Sequence, residues 1–158
     1  MINKITRWLA TLLPVVATAA LLFTASAAAQ PYAVATGHRI QIHEIWYNSP
    51  GPDNGSNASL NAEWVELYNT SSTKISLRHW TLRDAAGHVF LFHRYSLGGH
   101  RYVKIHTGHG TGTQTDRYWN HSWYIWNNTG DTATLEDTHG GKVDSCSYTG
   151  TSAEHVFC

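Results

Sequence analysis

The sequence predicts an all-β protein, a two-sheet β-sandwich of about seven to nine short strands. Three observations predict it. Apolar residues after the first thirty positions recur in short alternating runs, no stretch there carries the helical period over a useful length, and clusters of Gly, Asn, Asp and Ser punctuate the runs.

Ile40, Ile42 and the step Glu44-Ile45-Trp46 make the first strand, followed by a Pro/Gly/Asn/Ser-rich loop from Asn48 to Ala62 that reads as mobile. The segment Glu63 to Asn69 (EWVELYN) alternates with the strand period, Val65 and Leu67 on one side and Trp64, Glu66 and Tyr68 on the other. A polar turn, Thr70 to Lys74, leads to Ile75 and Leu77 and on to Trp80 and Leu82, which share a face. Asp84-Ala85-Ala86-Gly87 places Asp first and Gly fourth in a type I turn, so His88 to His93 returns as a strand. Leu97-Gly98-Gly99 turns the chain toward Tyr102 to Thr107, where Val103 and Ile105 alternate with Lys104 and His106. Gly108 to Asp116 reads as a second mobile loop. In Trp126 to Leu135 (WNNTGDTATL), Asn127, Asn128 and Gly130 suit the left-handed conformations of a tight bend. The last hairpin joins Thr132 to Glu136 with Lys142 to Tyr148 through Thr138-His139-Gly140-Gly141, whose glycines are expected at positive φ.

Seven tryptophans are a heavy aromatic load, and six of them follow the leader. Trp80, Phe90, Phe92 and Trp126 are expected to anchor both sheets, since a buried ring removes about 150–250 Å² from water. Trp119, Trp123 and Tyr124 lie in a more polar stretch and read either as further core or, together with Tyr118, as the candidate exposed platform for a ligand.

Residues 1–29 read as a signal peptide. Lys4 and Arg7 give the positive start, an apolar run extends from Trp8 to Phe23, and Ala25-Ser26-Ala27 and Ala27-Ala28-Ala29 place cleavage between Ala27 and Ala29, near Ala29. A membrane anchor is the competing reading, but a run of roughly 15 residues containing Pro14 falls short of the ~20 that span a bilayer. Secretion is therefore expected, with no membrane contact after cleavage. The remainder divides into an N-terminal extension at 30–36, one domain at 37–148 and a tail at 149–158. Without Lys4 and Arg7, nine basic residues face eleven acidic ones, a net charge near −2. No basic field is present for nucleic acid. All eleven histidines lie in the mature part, so acidification through pH ~6.5 is expected to add positive charge.

Cys146 and Cys158 lie close together in a chain that reads as exported, which favours a disulfide over a metal pair or redox motif. The bridge would tie the tail to the final strand.

The domain resembles the lamin-tail domain family, as found in stand-alone secreted bacterial proteins. The resemblance rests on Glu44-Ile45, EWVELYN, ISLRHWTLRDAAG at Ile75 to Gly87, VKIHTGHGT at Val103 to Thr111, YW at Tyr118-Trp119, WNNTGDTATLED at Trp126 to Asp137 and VD at Val143-Asp144. It implies an immunoglobulin-like sandwich and a binding or structural module without a catalytic set. No coiled-coil rod precedes the domain, which sets it apart from filament lamins.

The sharpest catalytic constellation is His106, His109 and Asp116, two imidazoles and a carboxylate around a Gly-rich loop that could hold a metal or serve as acid and base. Glu63 and Glu66 are three apart on a strand and face opposite sides, so they cannot flank one glycosidic bond; Glu63 is expected at backbone groups and Glu66 at solvent or a cross-strand partner. Ser145-Cys146-Ser147 has no nearby histidine and reads as strand. Asp53, Asn54 and Asn57, near Gly51 and Gly55, are calcium-ligand types without the ordered EF-hand pattern. The sequence thus predicts a secreted non-enzymatic binding or structural module, without cofactor, whose partner is an extracellular protein or glycan. The alternative is an extracellular metal-dependent hydrolase or hydrolase accessory domain using His106, His109 and Asp116.

Overall fold

Among the described residues, in chain order, the strands are β1 (Ile40–Trp46), β2 (Trp64–Asn69), β3 (Ile75–Ser76), β4 (Thr81–Arg83), β5 (Val89–Leu91), β6 (Ser96–Leu97), β7 (Tyr102–His106), β8 (Asp116–Tyr118), β9 (Gly130–Glu136), β10 (Lys142–Thr149) and β11 (His155–Phe157), with a turn-and-a-half helix, α1 (Asn57–Ala62), before β2. The computed structural model describes residues 39–150 and 153–158. The signal peptide, its cleavage point and the extension at 30–36 lie outside the described residues.

The strands form a five-stranded sheet in the order β11-β1-β2-β7-β8 and a four-stranded sheet in the order β10-β9-β4-β5, with β3 and β6 as a separate pair. The extra strands beyond the expected number are two- and three-residue pieces too short to leave a periodic signal. β8 runs parallel to β7, whereas its neighbours in the five-stranded sheet pair antiparallel. Inward side chains alternate along each strand, as the pleat requires. Ile45, Val65, Leu67, Val103 and Ile105 from one sheet meet Leu82, Ala133, Leu135, Val143 and Tyr148 from the other, all buried. Trp126 and Phe92 are buried as expected, while Trp80 and Phe90 pack against this core from partly buried positions.

One flank of the sandwich is locked. β11 covers β1 from Glu44 to Trp46, and beyond that cover the Ile42 N–H donates to Asp144 Oδ2 of β10 at 2.8 Å. The Cys146–Cys158 disulfide then joins β10 of one sheet to the residue after β11 of the other.

The acidic and amide residues of the two clearest motifs build corners. Glu63 is fully buried; its Oε1 accepts from Thr107 Oγ1 at 2.6 Å and from the Ile125 N–H at 2.9 Å, joining the entry of β2 to the end of β7 and the approach to β9. Asp131 accepts from the Ala85, Asn127 and Thr132 backbone amides and from Asn127 Nδ2. Asn69, also fully buried, donates through Nδ2 to the carbonyls of Thr73, Leu97 and Gly98, and its Oδ1 accepts from the N–H and hydroxyl of Ser71. Asn69→Asp would turn a second acceptor toward those three carbonyls, and thermal or urea unfolding should show a loss of about 3 kcal/mol or more.

Several local expectations need correction. The Asn48–Ala62 segment is not plain loop: Ser56 caps α1 by accepting from the Ser59 N–H, and Leu60 is buried. Asn127 and Asn128 do not take left-handed backbone; Gly130 does, at φ 136°, because Asp131 holds the Asn127 amide in place. In the last hairpin only Gly140 has positive φ, since Asp137 Oδ1 accepts from both His139 and Gly141 amides and shapes the turn itself. After Leu97 the left-handed residue is His100, not either glycine.

Candidate functional site

The five-stranded sheet carries rings on the side away from the core. Val65 and Leu67 point inward on β2, so Trp64, Glu66 and Tyr68 point out. The register sets Trp46 against His155 on one side and Trp64 on the other, Trp64 against His106, and His106 against Tyr118. One cross-strand row therefore spans all five strands. His155 stacks on Trp46 at 4.6 Å between centroids, Trp46 lies 5.8 Å from Trp64, and His106 stacks on Tyr118 at 5.2 Å. The next row is ionic and runs Phe157, Glu44, Glu66, Lys104, Asp116.

The rows differ in access. Trp64 is 9% exposed because the Lys104 ammonium sits 3.5 Å above its ring, a cation–π contact. At the other end, Tyr102 is 42% and Phe157 65% exposed. Tyr68 stacks on Tyr102 at 4.4 Å, and His43 lies 5.1 Å from Tyr102 and 5.8 Å from Phe157. His43 occupies the bulge between Ile42 and Glu44 in the β1–β2 pairing. The result is an open aromatic patch beside a charged row.

Burial raises the Glu66 carboxyl above its ordinary value, against the opposing pull of Lys104 and then His43, with Glu44 pushing further up. Asp116 is held low, first by the Thr115 hydroxyl and then by hydrogen bonds from His106 and Thr113. His106 Nδ1 lies 2.7 Å from the Asn61 carbonyl and its Nε2 3.0 Å from Asp116 Oδ1. Both nitrogens are thus engaged.

With this sandwich and its outward rows in view, comparison with known families is decisive: the lamin tail domain model matches residues 33–150, well over half of the chain. The chain belongs to the lamin tail domain family. No curated protein matches it. The family's immunoglobulin-like fold is the one the two sheets adopt.

The lamin tail domain brings some predicted residues together and separates others. His106 and Asp116 meet on the outer face, but His109 does not join them; Asn57 holds its backbone N–H and carbonyl, and its Nε2 reaches only Ser122 Oγ at 3.4 Å. Among the described residues no group of three or more His, Cys, Asp or Glu side chains is placed to hold a metal ion. The three calcium-ligand candidates are likewise engaged: Asp53 accepts from Asn128 Nδ2, Asn54 from the Ser56 N–H, and Asn57 from the His109 N–H.

The four aromatics expected to form one exposed platform are divided. Tyr118 ends the outer row. Trp119 is half-buried and packs edge-on to Trp126 at 6.0 Å and near Phe90 at 5.8 Å. Tyr124 is half-buried with its hydroxyl 2.6 Å from Ser59 Oγ, leaving only Trp123, 59% exposed, at the surface. The separation has a measurable consequence. Trp119→Ala should cost about 2–3 kcal/mol in denaturant unfolding, below the full core value because the ring is half-exposed, while Trp123→Ala should stay within roughly 1 kcal/mol.

Sequence reasoning missed Trp46, Tyr68, Tyr102, His43 and Phe157 as members of one surface. The signal is present in the outward positions of EWVELYN and in Tyr102 alternating with Val103, but only cross-strand register brings these rings together.

Proposed function

We propose that this lamin tail domain is a secreted, non-enzymatic binding module that holds an extracellular glycan or protein on the outer face of its five-stranded sheet. The observation that carries the reading is the patch of Tyr68, Tyr102, His43 and Phe157, rings already ordered against each other with two of them open to solvent. Preordered rings lose little conformational entropy when a sugar face or an apolar side chain settles on them. The disulfide suits an oxidising compartment. Among the described residues no helix is long and apolar enough to cross a membrane. The family's immunoglobulin-like character favours binding over catalysis.

The test is co-sedimentation of wild-type protein and the Tyr102→Ala/Phe157→Ala variant with peptidoglycan, chitin and cellulose, alongside capture of extracellular proteins. Wild-type protein should be retained by at least one of these, and the variant about ten-fold less, as loss of about 1.4 kcal/mol of ring contact implies. Equal retention of the two proteins would sink the assignment. Secretion is tested separately: the chain recovered from culture medium should begin near Gln30, and full-length chain held in the cells would oppose it.

A further inference from the structure

The flank opposite the disulfide is open. β5 and β8 are the last strands of their respective sheets, and the segment from Phe90 to Tyr95 meets Arg117 there across a cavity of about 410 Å³. A second cavity, about 420 Å³, adjoins it and shares Arg94, Tyr95 and Arg117 while adding Lys74 and Arg78. Four cations therefore line one continuous trough. Among the described residues none of the four makes an ion pair.

Arg117 is held ready. Its guanidinium carbon lies 4.2 Å from the centroid of the Tyr95 ring, and Tyr95 is itself fixed by donating its hydroxyl to the Gln114 carbonyl at 2.7 Å. On its other side the chain passes so close at Gly112 that an added Cβ would stand 2.5 Å from Nη1. The neighbouring Asp116 carboxylate makes no ion pair with it; its oxygens accept from His106, Thr113 and Thr115. The Arg117 Nε–H is shut from water and has no acceptor. A cation already stripped of part of its hydration gains more than a surface cation when an anion arrives.

We infer that this trough is an anion-binding site, separate from the aromatic face, whose ligand is an acidic sugar residue of an extracellular polysaccharide. Arg94 and Arg117 take its carboxylate or sulfate, and the exposed apolar wall at Leu91 takes the ring. Each cavity is of the size that encloses a small sugar unit. Nucleic acid is the less favoured occupant because a polyphosphate asks for an extended basic track, and the cations here are confined to one cleft of a chain whose acids outnumber its bases once Lys4 and Arg7 are removed with the leader.

Calorimetry on the full disulfide-bonded chain at low salt tests the assignment with trigalacturonic acid, maltotriose, inorganic phosphate and a thymidine hexanucleotide as probes. Trigalacturonic acid should bind saturably, and maltotriose and phosphate at least ten-fold more weakly. Arg94→Gln and Arg117→Gln should each weaken binding about ten-fold. Arg94 is exposed, so its variant reports even if Arg117→Gln loosens Tyr95. Lys142→Gln, which removes a cation elsewhere, should leave the affinity unchanged. Absence of saturable binding, equal weakening by Lys142→Gln, equal affinity for maltotriose, or tighter binding of the hexanucleotide would overturn the proposal. Loss of binding in Tyr102→Ala alone would move acidic sugars to the aromatic face and leave the module reading standing.

Discussion

The stability difference between wild-type protein and Glu63→Gln should move by about 3 kcal/mol against the wild type as pH rises from 4 to 8, turning a wild-type advantage of about 1–2 kcal/mol into a comparable disadvantage. Burial is the main cause that pushes the Glu63 carboxyl up from 4.5 to about 7, against hydrogen bonds from Thr107, Ile125 and Trp126 that pull it down. Below pH 4.5 the group is protonated in both folded and unfolded chains. Between 4.5 and about 7 the unfolded chain ionises freely while the folded chain holds its proton, so stability falls as pH rises. Above about 7 both forms are ionised and the loss levels off. Glutamine cannot ionise and removes this slope. It also places an amide where Oε2 meets no hydrogen-bond partner, a pH-independent cost of about 1–2 kcal/mol. Urea unfolding of both proteins at several pH values reads the difference directly. A constant gap across the range would mean that Glu63 does not carry the buried proton.

The second large effect is expected from the disulfide. Cys146 and Cys158 are 12 residues apart, so the bridge constrains a short loop, and its removal in Cys146→Ser/Cys158→Ser should cost about 3 kcal/mol. The loss should not be uniform. β11 pairs with β1 through only three residue positions, supported by Glu44 Oε1 at 2.6 Å from His155 Nδ1 and by the Cys158 N–H on the His43 carbonyl. Without the bridge, amide exchange at Val156 and Phe157 should accelerate well before that of β2 and β7. Because Phe157 belongs to the aromatic patch, binding should weaken alongside. An unchanged melt and unchanged exchange at these amides would show that strand pairing alone holds the tail.

Much of the sandwich was legible because its information is local. EWVELYN states its own inward and outward faces, Asp84 to Gly87 states its own turn, and the two cysteines state their own bridge. WNNTGD does form a corner, although the positive φ falls on Gly130, Asn127 donates to Asp131 and Asn128 donates to Asp53. What remained hidden is non-local. β8 and β11 are three residues each and exist as strands only through their partners, β8 by parallel pairing with β7 and β11 by pairing with β1 at the other end of the domain's sequence. α1 has a capping serine but one buried residue, too little amphipathic pattern to announce a helix. The aromatic face depends on cross-strand register, including a bulge at His43 that no alternation rule places. His106 and Asp116 do meet, and Asn61, Thr113 and Thr115, none of them legible as their neighbours from sequence spacing, complete their hydrogen bonding through a carbonyl and two hydroxyls.

On the proposed reading, the outer sheet face is where this lamin tail domain meets its ligand. Its most direct test is an NMR titration that follows the ring protons of Tyr68, Tyr102 and Phe157, with Trp123 as the reference, during addition of chitohexaose and of soluble peptidoglycan fragments. The predicted result is a saturable shift of the three face rings with at least one of these ligands while Trp123 stays still. Movement of Trp123 without the face rings, or no movement of any ring, would contradict it.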